Sequence, residues 1–222
     1  MRDLALSHSG SSLKRFDLHI HSKYSYDSFL NPETIIKVAK RKGLNGVAIT
    51  DHGTIKGGLA TKEINKDVDF EVIVGSETET EYGDVLGLFL SREIRSGKFT
   101  EVCEEIKAQG GLVVLAHPFR KGKTLSESLF QYIDFVEGFN ARSPRSLNLK
   151  AQELAKVFKM PVVAGSDAHM PFEIGRGRTL LNGGVDMLLH HQGAISIEGR
   201  ESNYFLVHGF SVLVEQAKRL RR

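Results

Sequence analysis

Seven short apolar runs, rich in Val, Ile and Leu and bounded by turn residues, recur along this chain: near Arg15–Ile20, Gly46–Thr50, Glu71–Gly75, Val85–Leu90, Leu112–Ala116, Asp134–Phe139 and Val162–Gly165. Most are continuous in apolar character rather than alternating, as in strands covered on both faces. Amphipathic helices fit between them. In NPETIIKVAKRKG, Asn31 reads as the N-cap and Pro32 as the first turn. Glu33 lies at the positive end of the helix dipole, basic residues lie at the other end, and Gly43 is the stop. Residues 98–109 and 146–159 read as two more helices, and a last one falls near 210–221. Such alternation implies βα units and a largely parallel sheet. The expected class is therefore α/β, a closed or nearly closed seven-stranded barrel, with an open doubly wound sheet as the other solution. One link is too short for the rule. Only SETETEYGD joins the third strand to the fourth, whereas a parallel crossover needs a dozen or more residues. An antiparallel excursion, and so a distorted barrel, is expected there.

At 222 residues, 41% hydrophobic and 26% charged, the chain reads as one ordinary soluble domain. That domain is expected over 14–222, with its barrel core over about 14–170 and a C-terminal appendage over 171–222. Residues 1–13 read as a loose lead-in without the apolar stretch of a signal peptide. A formal charge of +3 suits an anionic substrate without demanding nucleic acid. The basic tail AKRLRR reads as a solvated helix end. The single cysteine, Cys103, permits no disulfide framework and fits the core of a helix in a reducing cytoplasm. No apolar run reaches membrane-spanning length, so a cytoplasmic location without a membrane partner is expected.

The polar residues fall in a pattern that packing does not require. The first strand ends in DLHIHS, with His19 and His21 on one face because strand side chains repeat every two residues. Asp27 follows. The second strand ends in ITDHG with Asp51 and His52, and the third in GSETE with Glu77. The fourth opens at Asp84, and the fifth ends in AHP with His117. The sixth carries Glu137, and the seventh ends in GSDAH with Asp167 and His169. In α/β barrels the C-terminal strand ends converge on one rim. Groups this polar are expensive to leave unpaired in a pocket, so a metal centre is expected. His8, His190, His191 and His208 lack such placement and read as incidental.

The ordered set DLHIHS, ITDHG, GSETE, AHP and GSDAH resembles the PHP (polymerase and histidinol phosphatase) superfamily over about Phe16–His169. The resemblance implies a distorted seven-stranded β/α barrel, two or three divalent ions (Mn, Zn or Fe), and hydrolysis of phosphoester bonds by a metal-bridging hydroxide. It implies His19, His21, Asp27, His52, Glu77, His117, Asp167 and His169 as ligands, with Glu77 bridging two ions. Asp84 stands where many members carry histidine. A carboxylate there is a harder ligand that favours Mn or Fe over Zn. His117 or His169 is a candidate proton donor to the leaving oxygen. Asp17 and Asp51 read as orienters of histidines or as strand-end caps, and Glu137 as an orienter or an edge carboxylate.

A phosphate clamp is expected from Lys23, Arg120, Arg142, Arg145, Arg176 and Arg178, with Arg176, in EIGRGRT, as first choice. Tyr24 and Tyr26 read as packing over the barrel mouth or stacking on a base. The substrate expected is a phosphorylated small molecule, a nucleotide or an oligonucleotide end. Two other readings stand beside this one. One is an amidohydrolase-like C–N hydrolase, disfavoured because no lysine falls among the ligands. The other is a non-catalytic metal module that binds nucleic acid through its basic tail.

Overall fold

A computed structural model of the chain describes residues 13–122, 126–190 and 196–220. His8, His191, most of the lead-in and the last two residues of the basic tail lie outside these. In chain order the elements are β1 (Lys14–Ile20), α1 (Pro32–Arg41), β2 (Gly46–His52), α2 (Lys56–Ile64), β3 (Glu71–Thr80), β4 (Gly83–Leu88), α3 (Phe99–Lys107) and β5 (Leu112–Ala116). A short 3₁₀ helix (Glu127–Tyr132) precedes β6 (Phe135–Asn140), α4 (Arg145–Val157), β7 (Val162–Gly165) and β8 (Gly177–Leu181). Then come α5 (Asp186–Leu189), β9 (Ser196–Gly199) and α6 (Tyr204–Arg219). The sheet therefore has nine strands rather than the seven expected, in the order β7-β6-β5-β4-β3-β2-β1-β8-β9. The two extra strands lie after residue 170. Their sequences, GRTLL and SIEG, are short: β8 pairs antiparallel with β1 and is buried apart from Arg178, and β9, largely exposed, pairs antiparallel with β8 at the edge of the sheet.

The expected antiparallel excursion is present. β4 pairs antiparallel with both β3 and β5, while β1–β2–β3 and β5–β6–β7 are parallel. Because β4 runs backwards, its first residues lie at the same rim as the last residues of its neighbours. Asp84 is thus opposite Ala116 and Glu79.

The barrel is nearly closed between β1 and β7, but by a side chain instead of a full ladder. Asp17, wholly buried on β1, accepts from the Ser166 N–H (2.8 Å), the Ser166 hydroxyl and the Gly175 N–H (2.7 Å). Burial raises its pKa to about 6 despite those donors. Main-chain bonds from Asp167 to the His19 carbonyl (2.7 Å) and from His21 to the Ala168 carbonyl (2.9 Å) complete the seam. Asp17 thus acts as the cap of a strand end, and Asp51 does the same for Ser22.

The three larger of four apolar clusters among the described residues hold the layers. Phe16, Leu18, Ala48, Leu86, Val114 and Phe135 come together from the strands. Phe99, Val102 and Ile106 of α3 pack on Val85, Val113 and Leu115. Ile35, Val38 and Ala39 of α1 pack on Val47 and Ile49. Cys103 lies buried in the second cluster, where desolvation pushes its thiol up to about 12, so it is an inert core residue. Helix α2, KGGLATKEI, carries two glycines that mask its helical pattern. The structure requires one of them: a Cβ on Gly57 would collide with the Asp51 carboxylate and the Ser22 hydroxyl. Among the described residues no helix is long and apolar enough to cross a membrane.

Gly165, the last residue of β7, is the tightest crossing of the seam. A Cβ there would strike the His19 Cβ, lie 2.9 Å from the His19 nitrogen and lie 3.0 Å from Glu137 Oε1. Gly165→Ala is expected to destabilise the chain by about 1–3 kcal/mol, measured by urea unfolding, because backbone must move to admit the methyl. An unchanged midpoint would mean the seam is looser than described.

Candidate metal centre

The rim gathers all nine candidate ligands. His21, Asp27, His52 and His169 form one group of donors whose ligand atoms lie within 4.8 Å of one another. His19, His21 and Glu77 form a second, Glu77, Asp84 and His117 a third, and His19, His117 and Asp167 a fourth. The groups share corners at His19, His21, Glu77 and His117. Glu77 is the hub. Its Oε2 lies 3.3 Å from His21 Nε2, 3.5 Å from His19 Nε2 and 3.2 Å from His52 Nδ1, and its Oε1 lies 2.9 Å from His117 Nε2.

The hydrogen bonds behind these rings fix what faces the centre. His19 Nδ1 donates to Glu137 Oε1 (2.9 Å), so its Nε2 is the free ligand atom. Glu137 also accepts from the His117 N–H (2.9 Å) and from Asn140 (3.0 Å); it orients ligands and does not join them. His169 Nδ1 lies 2.8 Å from the Asp167 carbonyl, an acceptor only, so the proton sits on Nδ1. His169 Nε2 then presents a lone pair to Asp27 Oδ2 at 2.8 Å. His19 Nε2 and His21 Nε2 face each other at 3.1 Å, a space that a proton or a metal ion can fill. Asp27 Oδ1 is buried and finds no partner. Acceptors pressed against acceptors need a cation between them, and this donor set of imidazole nitrogens and carboxylate oxygens suits a divalent ion.

The electrostatics agree. Burial opposes charge on His21, but the Asp167 and Glu77 carboxylates raise it to about 9, and His19 is raised well above its ordinary value by Asp167, Glu137 and Glu77 against the same penalty. Glu77, Asp27 and Asp167 are held ionised, against desolvation, by the surrounding imidazoles and, for Asp167, by Arg120. Burial and the His21 charge pull His169 down to about 4, so its ring is neutral at neutral pH, with its one proton on Nδ1.

Two of these residues sit in the left-handed backbone region, His117 at φ 26° and Asp167 at φ 56°. Such conformations cost free energy and persist where neighbours enforce them. Here Glu137 grips the His117 N–H, and the His19 carbonyl grips the Asp167 N–H.

The cavity over the donors has a volume of about 230 Å³. Arg120, Lys121 and Arg142 line it, together with Tyr26, whose ring stacks on His52 at 4.7 Å. Arg120 donates to Asp167 Oδ2 (2.7 Å) and Asn140 Oδ1 (2.6 Å), while its Nε is buried without a partner. Arg142 grips Glu173, which in turn accepts from the His169 N–H (3.1 Å).

Arg176, the first-choice clamp, does not reach this cavity. Its guanidinium donates to the carbonyls of Arg200 (3.3 Å) and Glu201 (2.7 Å), because β8 carries it to the flank of the sheet. Lys23, Arg145 and Arg178 are absent from the cavity lining as well. His208, read as incidental, does line the cavity, with Ser211, Val212 and Glu215 of α6. Helix α6 is latched over the mouth by Lys218, whose ammonium donates to the carbonyls of Lys23 (2.8 Å), Ser25 (2.5 Å) and Ser28 (2.6 Å). A lysine also stands beside the donors: Lys121 Nζ lies 2.9 Å from Asp84 Oδ1 and 3.0 Å from Glu79. The one signal for Lys121 in the sequence is its place beside Arg120 in HPFRK.

A distorted β/α barrel with histidine–carboxylate cages at one rim defines a class of proteins built around a candidate polynuclear metal centre. The PHP domain family matches residues 17–192, and the chain belongs to that family. An uncharacterized protein of Methanocaldococcus jannaschii is 46% identical over 138 residues, 56% of this chain and 81% of that one. Among solved structures, a two-domain Bacteroides vulgatus protein containing a predicted PHP-like metal-dependent phosphoesterase is similar with a TM-score of 0.75 at 19% identity, covering 91% of this chain and 70% of that one. A lesion-specific endonuclease of the Q type from Pyrococcus furiosus matches with a TM-score of 0.63 at 22% identity, over 84% of this chain and 58% of that one. An endonuclease Q structure holds a 27-mer duplex with an abasic lesion at the active site. At these identities the likeness is one of fold.

Proposed function

We propose that this chain is a metal-dependent phosphoesterase acting on a small or terminal phosphate ester, with His19, His21, Asp27, His52, Glu77, Asp84, His117, Asp167 and His169 holding two or three divalent ions. The observation that carries this reading is the packing of the His169 Nε2 lone pair against Asp27 Oδ2, beside a buried Asp27 Oδ1 that has no partner. Bound divalent ions would neutralise the phosphate and lower the pKa of water toward ~7. The protein's own part is to bind and orient. Arg120 positions Asp167 and keeps its Nε–H for a phosphate oxygen. Lys121 balances the extra negative charge of Asp84. Glu137 fixes the His19 tautomer and the His117 backbone together.

The roof formed by α6 and the cavity of about 230 Å³ favour a compact ester over a strand threaded through an open groove. Endonuclease Q shares the fold and acts on DNA, so a nucleic-acid end remains within the proposed class. A C–N hydrolase with a carbamylated lysine is less well supported. Burial notwithstanding, Asp84 and Glu79 keep Lys121 protonated, whereas carbamylation needs the neutral amine. Elemental analysis of gently purified protein, followed by a panel of phosphomonoesters, phosphodiesters and amides with added Mn, tests the reading. Bound metal and turnover of a monoester are expected. Metal-dependent cleavage of amides alone, or protein that takes up no divalent ion, would overturn it.

A further inference from the structure

The two arginines of EIGRGRT, which the metal pocket does not use, help to build a separate cleft. Lys42, following α1, joins Arg176 and Arg178 at the start of β8 and Arg200 after β9 around a space of about 500 Å³. Phe172, Gly175, Glu198 and Gly199 complete the lining, and none of these residues lines the metal pocket.

Three of the four cations, Lys42, Arg176 and Arg178, are held mainly by main-chain carbonyls and not by carboxylates, and Arg200 is exposed. Lys42 Nζ donates to Phe172 O (2.8 Å) and Ile174 O (2.5 Å). Arg176 uses its Nε and Nη2 on the carbonyls of Arg200 and Glu201. Arg178 Nε donates to Gly175 O (2.8 Å). The one carboxylate of the lining, Glu198, is shared loosely between Arg178 (3.3 Å) and Arg15 (3.5 Å). Asp17, beneath Gly175, is the other anion whose charge reaches Lys42. The four cations of the cleft therefore outnumber the anions that face them. Burial and the neighbouring Arg176 and Arg178 charges lower the pKa of Lys42, which is what mutual repulsion predicts.

Carbonyl tethers leave donors in reserve: one N–H on Lys42, both Nη1 hydrogens of Arg176 and both Nη2 hydrogens of Arg178 have no partner named above. Guanidinium groups already fixed in place lose little freedom on meeting an oxyanion, and their fork matches phosphate.

The geometry points to a second anion site in this cleft, separate from the metal pocket, that binds a phosphate group, carried either by a free phosphorylated small molecule or by the backbone of a polynucleotide. It needs no metal and no turnover, so its failure and the failure of the phosphoesterase reading are distinguishable.

The test uses the metal-loaded full chain and its Arg178→Gln/Arg200→Gln variant, with the exposed Arg200→Gln alone as a second variant should the double one fold poorly. Calorimetry with inorganic phosphate and pyrophosphate reads the free-anion source. Anisotropy of a labelled 12-nucleotide strand, over a range of salt, reads the polynucleotide source. For a polynucleotide, affinity is expected to fall about tenfold or more in the double variant, and the salt dependence to flatten by about two phosphate contacts. For a free anion, one class of phosphate site is expected to vanish while strand binding is unchanged. In either case kcat/KM on a small phosphoester stays at the wild-type value. The inference is overturned if both variants bind every probe as the wild type does, or if small-ester hydrolysis falls in parallel with binding.

Discussion

Glu77→Ala is expected to abolish hydrolysis, lowering turnover by about 10³-fold or more, while leaving the barrel folded. Four imidazoles face this one carboxylate at 2.9–3.5 Å, and it belongs to two of the four donor groups. Among the described residues no other carboxylate pairs with both His52 and His117. Its loss should also remove at least one equivalent of bound metal, which elemental analysis reads without reference to activity. His19→Ala should follow the same pattern, since it removes a donor shared between two groups, and Asp167→Ala should too, since it removes the carboxylate that completes the group with His19 and His117. His190, exposed at the end of α5, supplies the contrast, and His190→Ala should leave turnover unchanged. Full activity in Glu77→Ala would show that the chemistry lies elsewhere.

Metal loading should expel protons and weaken steeply as pH falls. In the metal-free chain His21 titrates near 9 and His19 higher than its ordinary value, because carboxylates outweigh the cost of burial. At neutral pH at least one proton therefore occupies the space between their Nε2 atoms, and a metal must displace it. Affinity should drop about tenfold per pH unit for each proton displaced. The sign for stability follows from the same shift. A histidine whose folded pKa is raised adds stability that is complete below its unfolded value, about 6.5, and is lost as pH rises through about 9. The metal-free chain should accordingly weaken from neutral to alkaline pH, and chelation should lower Tm more at pH 9.5 than at pH 7. Calorimetry in buffers of different ionisation enthalpy counts the protons. Metal affinity that is flat from pH 6 to 9 would contradict the assignment.

The strands of the barrel proper and the nine rim donors were legible because both are local signals. A continuous apolar run marks a strand covered twice, and a histidine or carboxylate at its end falls on a rim, while Asp27, in the loop after β1, was placed by the family resemblance. The antiparallel β4 was legible from chain length alone. What depends on the path of the chain between elements was not. Arg120 and Arg176 look alike in sequence. Only the turn after β5, where the Arg120 N–H returns to the His117 carbonyl, brings the first to Asp167, while β8 carries the second to the outer flank. His208 was invisible for the same reason, because its position depends on how α6 crosses the mouth. Helix α2 was hidden by two glycines, and the purpose of Gly57, close approach to Asp51 and Ser22, exists only in the folded chain.

The joint between β1 and β7 gives the centre a mechanical character. His19 and His21 stand on one bank of that joint and Asp167 and His169 on the other, with a single aspartate fastening the two below them. Ions seated between the banks would act as a second clasp, so that filling the centre and tightening the hoop of the barrel become one event.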